Sequence, residues 1–187
     1  LHLGHAYAAI LAHASLASAE PDDRLAMIDS QLRFSTVFPD DPRAPLVLAN
    51  AASALLEQGL YSRAALAAKE LVVWLPEPEV GVILPAWLVL AHAQFELGEF
   101  AEAEQAYMSA LVMLPAEDYR RSDTVERVAA SIYRQGESAS AGGDHRLAAD
   151  HFARVMQLAP ESTIRLNAQY DAASSYQLAG DYDRANA

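Results

Sequence analysis

The sequence predicts an all-α protein, a solenoid of about five helical hairpins, and three observations carry that expectation. Prolines at Pro39, Pro76, Pro115 and Pro160 recur at intervals of ~40 residues, all but the first after an amphipathic run ending in leucine or alanine. Glycines at Gly59, Gly98, Gly143 and Gly180 recur in the same phase, where one helix of each pair turns into the next and the backbone needs positive φ or close packing. Between these marks, large and small residues alternate at helical spacing. Two kinds of punctuation sharing one slightly stretched period are the mark of a repeat.

The clearest hairpin runs from Ala86 to Pro115. Trp87, Leu90, Ala91 and Ala93 lie on one side of a first helix, Gly98 breaks it, Phe100, Ala103, Tyr107 and Ala110 line a second, and Pro115 closes it. Trp87, Phe100 and Tyr107 alternate with Ala91, Ala103 and Ala110, so each bulge faces a gap and the helices can approach closely. The order of these residues resembles the tetratricopeptide repeat, whose W, L-G, Y, A, F or Y, A and P pattern spans 34 residues. Ala91 stands where the family has Gly and Gln94 where it has Tyr. The resemblance implies a right-handed α-α superhelix: a single domain over residues 1–187 with pairs near 1–39, 43–76, 79–115, 119–160 and a truncated 161–187, taken from a longer array.

In chain order, the first pair places one helix around Leu3 to Ser18 and another around Arg24 to Val37, joined by a polar turn, Glu20 to Asp23. FPDDPR, Phe38 to Arg43, stops that helix, and its aspartates can cap the next. The second pair uses Leu48, Ala52 and Leu55, then Tyr61, Ala64, Ala68 and Leu71 after Gly59. Glu77 to Leu84 is a connector adding a turn to the third pair, flanked by Pro78 and Pro85. Ala116 to Glu126 is the longest insertion, with Ser122 or Asp123 placed to cap a long helix. The fourth pair has His145 where an aromatic is usual and Gln135 where leucine is; the fifth carries Tyr170, Ala173 and Tyr176 before GDYDRA.

Composition narrows the function. At 187 residues the chain buries roughly 70 % of its unfolded surface, so its core needs neither metal nor disulfide. Cysteine is absent, which excludes thiol catalysis and thiolate metal sites. The net charge of -12 opposes phosphate backbones and anionic membrane surfaces, and no run approaches a membrane span. Leu3 to Ala19 looks superficially like the apolar part of a signal peptide, but it lacks a basic leader and is interrupted by His5 and His13, so it reads as an amphipathic helix. The junctions FPDDPRA and APESTIRLNAQYDAASSYQLAGDYDRA resemble the envelope branch of bacterial repeat proteins. That resemblance implies a periplasmic or envelope-associated location, the alternative being the cytoplasm.

The resemblance also implies that first helices line a concave groove, at Ala49, Ser53, Leu56 and Glu57, then Leu88, His92, Phe95 and Glu96, then Tyr133, Glu137 and Ser140, then Tyr170, Ser174 and Gln177. This mixed lining suits an extended or helical peptide with apolar anchors. Against it stands a reading in which Tyr133, Tyr170 and Phe95 only pack between hairpins. The family's carboxylate clamp uses lysine, asparagine and arginine; here Ala49, Ser53, Val89, Ala130 and Arg134 occupy those places, and only Arg134 fits. His2 with His5, and His145 with His151, lack the converging ligands of a metal site. Glu99, Glu102 and Glu104 suit the first turn of a helix better than acid–base chemistry. No phosphate loop, nucleophile elbow or HExxH helix occurs.

The expected function is thus a non-catalytic scaffold that binds a protein or peptide and takes no cofactor, with self-association through the open terminal hairpin. Nucleic acid and direct membrane insertion are not expected. The competing readings are a lipid- or glycan-binding accessory module, which a closed apolar pocket would favour, and a structural spacer.

Overall fold

A computed structural model describes residues 21–186. The predicted helix around Leu3 to Ser18, the leader-like stretch and the His2/His5 pair lie outside the described residues. Among those described, the chain is all-α: α1 (Pro21–Val37), α2 (Ala44–Glu57), α3 (Tyr61–Val72), α4 (Val80–Glu96), α5 (Phe100–Met113), α6 (Arg120–Ala141), α7 (His145–Leu158), α8 (Arg165–Leu178) and the single turn α9 (Tyr182–Ala185). Contacts divide it into two compact units, one up to Ala93 and one from Gln94 onward. Within each, successive helices pack against each other as hairpins, the build that the periodicity predicts.

The four glycines explain how the hairpins turn. Gly59, Gly98, Gly143 and Gly180 have φ of 71°, 79°, 81° and 76°, and no other residue type among those described adopts positive φ. At the first turn the amide of Gly59 donates to Leu56 and that of Leu60 to Leu55, both at 2.9 Å. This pairing closes the last carbonyls of α2 and requires a left-handed residue, which only glycine supplies without a Cβ penalty. The other three turns repeat it, as in Asp181 to Tyr176 at 2.9 Å.

In the first unit, α1 packs on α2 and α2 on α3. Ile28 and Phe34 of α1 are buried with Leu48 and Leu55 of α2 and Leu71 of α3, and between them lie fully buried Ala51, Ala52, Ala64 and Ala68. Alanines at these places let helix axes approach closely. Of the predicted turn Glu20 to Asp23, Pro21 to Asp23 are helical, as part of α1, and Glu20 lies outside the described residues. The FPDDPR aspartates do not cap α2: its N-cap is Arg43, without a side-chain cap, and Asp41 instead accepts from the Arg43 amide and guanidinium at 2.9 Å each, just ahead of the helix. The Glu77 to Leu84 connector does add a turn: α4 begins at Val80 and carries Pro85 inside it.

The second unit repeats the logic with larger wedges. Phe152 of α7 is buried against Gly136 of α6, where a Cβ would lie 2.6 Å from the ring. The long α6 begins at Arg120, not at a cap formed by Ser122 or Asp123. Asp118 accepts from the Arg120 amide at 2.9 Å and from its guanidinium at 2.9 and 2.7 Å, so the start lies earlier and Asp123 falls inside the first turn. This Asp-x-Arg clamp matches the one before α2, and it holds the Asp118 carboxyl down to about 2. Arg121 donates to the Leu111 and Leu114 carbonyls at 2.9 Å, closing the end of α5.

Candidate functional site

In the second unit, α6 is joined at one point to the linker before α8 and at another to α8 itself. Near the start of α6, Glu126 accepts from Ser162 Oγ at 2.8 Å, the Thr163 amide at 2.9 Å and Thr163 Oγ1 at 3.2 Å. Burial works against the ionised carboxyl, but these donors outweigh it and lower its pKa. Two turns further along, Tyr133 donates its hydroxyl to Asp171 of α8. Its ring meets Phe152 of α7 with centroids 5.0 Å apart. Burial first, and the Asp171 carboxylate second, push the Tyr133 hydroxyl up to about 12.

Tyr133 therefore has partners on both neighbouring helices, whereas Tyr170, at the matching position on α8, is 75 % exposed. Ser174 and Gln177, four and seven residues on, share its face, with Ser174 half-buried and Gln177 exposed. Arg134 and Glu137 are exposed and paired at 2.7 Å, and the Arg134 guanidinium also lies 5.2 Å from the Phe100 ring centre. Phe95 is half-buried and meets Phe100 edge-on at 5.3 Å. Tyr170, Ser174 and Gln177 thus share one side of α8, while Arg134 and Glu137 of α6 pair with each other beside Phe100.

In the first unit, Ser53 and Leu56 on α2 and Leu88 and His92 on α4 are all half-buried, whereas Ala49 is buried. Val89, at another clamp position, is buried as well, which leaves little room for a carboxylate there.

A polar network missed by the sequence lies among α5, α6 and α7. Gln135 donates to Glu104 at 2.7 Å, and Arg154 donates to the same carboxylate. The other Arg154 nitrogen lies 3.3 Å from His151 Nδ1. Burial and the neighbouring Arg154 charge lower the His151 pKa. Gln135, where the resemblance leads one to expect leucine, thus serves a half-buried carboxylate. The residues are 31 and 50 positions apart in sequence, and the only hint was the departure from pattern itself.

Among the described residues no group of three or more His, Asp or Glu side chains is placed to hold a metal ion, and no helix is long and apolar enough to cross a membrane.

No protein-family model and no curated protein matches the chain. Among solved structures it is similar to a crystal structure of MamA at 19% identity and a TM-score of 0.44, covering 90% of each chain. It is similar to a second MamA structure at 18% identity and a TM-score of 0.49, covering 98% of this chain and 87% of that one.

Proposed function

We propose that the chain is a non-catalytic scaffold that binds a protein or peptide partner on the faces of its first helices. The observation that carries this reading is Tyr170, an aromatic side chain left in solvent on α8 while its counterpart Tyr133 is engaged internally. A large, stiff amphipathic side chain is suited to anchoring a partner, because it supplies contact area at small entropic cost. Ser174 and Gln177 beside it offer donors and acceptors to a peptide backbone, and the Arg134–Glu137 pair offers both charges. Ser53, Leu56, Leu88, His92 and Phe95 are the counterparts proposed for the earlier hairpins. The envelope is the proposed compartment, on the strength of the FPDDPRA and GDYDRA strings.

The test is capture from a bacterial envelope extract by the native chain and by a Tyr170→Ala, Gln177→Ala variant of unchanged helical content. A partner retained only by the native chain supports the reading. Equal retention by both moves the site off this face.

A further inference from the structure

The two linkers of the first unit, residues 38–43 and 73–79, border an open cleft of about 580 Å³. Leu46, Trp74 and Leu75 contribute its apolar wall, and Leu75 is 86 % exposed. Asp40, Glu77 and Glu79 stand around that wall. The fourth carboxylate, Asp41, is already taken by Arg43, and no basic residue lines the cleft among those described.

The matching place in the second unit is built differently. There the linkers before α6 and α8 border a cleft of about 410 Å³ with Arg121 in its wall. Its Asp118 is held by Arg120, and its Glu126 by Ser162 and Thr163. That second cleft also carries Glu117 and Glu161, so both are acidic; the first differs in having no basic residue in its lining among those described and in setting its carboxylates around exposed Leu75 and half-buried Trp74. An apolar patch with a polar rim is the make-up of a recognition surface.

Prolines narrow the mode of recognition. Pro39, Pro42, Pro76 and Pro78 border the cleft, carry no N–H and have fixed φ. The linkers cannot extend a strand ladder to a guest there, so recognition passes through side chains, and rigid walls lose little entropy on binding.

We propose that this cleft binds an extended basic–aliphatic peptide segment, an arginine flanked by leucine-like residues. The guanidinium lies among Asp40, Glu77 and Glu79 beside the Trp74 indole, and the aliphatic neighbours cover Leu46 and Leu75. Arginine suits it better than lysine because its planar group pairs with carboxylates and stacks on aromatic faces.

The test is calorimetric titration of the 187-residue chain with acetyl-Ala-Leu-Arg-Leu-Ala-amide and with the same peptide carrying Glu in place of Arg. The arginine peptide binds, added salt weakens it, and the glutamate peptide does not bind. An Asp40→Asn, Glu77→Gln, Glu79→Gln variant, confirmed folded by circular dichroism, binds about tenfold more weakly or worse. Leu75→Ser, a change at an exposed side chain, weakens binding as well. Equal binding of the two peptides, no binding of the arginine peptide, or undiminished affinity in the triple variant would each overturn the proposal.

Discussion

The Tyr133 hydroxyl of α6 donates to the Asp171 carboxylate of α8, and this contact ties one hairpin's first helix to the next. It divides two tyrosines that look alike in sequence: Tyr133 is engaged with Asp171 and Phe152, and Tyr170 is 75 % exposed.

Tyr133→Phe keeps the ring against Phe152 and removes the hydroxyl, so it should cost about 1.5 kcal/mol, the low end for a bond to a charged group at a half-buried site. Urea unfolding at neutral pH measures it. An unchanged midpoint would mean that Asp171 finds water at no cost.

The same hydroxyl gives a signed alkaline prediction. Its folded pKa of about 12 stands above the ordinary 10.0, so its contribution is complete below pH 10 and is lost as pH rises through the folded value. Tyr107, also raised to about 12 by burial, acts in the same direction. The native chain should lose stability across this window, and Tyr133→Phe should lose less.

Gly136→Ala pits helix propensity against packing. Alanine gains about 1 kcal/mol of propensity over glycine, but its Cβ would meet the Phe152 ring at 2.6 Å. Phe152 is buried and backed by Tyr133, so it cannot swing clear. Strain should win, with a net loss of roughly 1–3 kcal/mol that Phe152→Leu relieves in the double variant. Ala103→Leu, at a fully buried helix contact, should cost a similar roughly 1–3 kcal/mol. Unchanged melting midpoints would contradict the packing described for both sites.

His151 supplies the acid limb. Burial and Arg154 lower its pKa beneath the ordinary 6.5, so the unfolded chain takes up the proton first. Its contribution is present above pH 6.5 and is lost as pH falls through the folded value. Chemical unfolding at a series of pH values should show this loss in the native chain and a flatter profile in His151→Gln.

What was legible in the sequence was what local geometry dictates. The glycine turns could be read because positive φ leaves almost no other choice, and the alanine stripes because close helix contacts admit little else. Helix starts were legible only in part. The aspartates of FPDDPR read as caps, but Asp41 clamps Arg43 instead, and α6 begins at Arg120, where Asp118 reaches its amide and guanidinium, rather than at Ser122 or Asp123. The Glu104–Gln135–Arg154 network and the cleft beside Trp74 were hidden, since each depends on residues far apart in the chain meeting in space. Tyr133 and Tyr170 could be named as equivalent positions from the repeat pattern, but telling the engaged one from the exposed one needed Asp171 and Phe152 in place.

The most direct test of the central claim is the dissociation constant of a captured partner for the native chain and for Tyr170→Ala, measured by titration with purified proteins. Loss of an exposed aromatic anchor should weaken binding by at least about tenfold while unfolding is unchanged. An unaltered constant would contradict the claim that this first-helix face is where the partner binds.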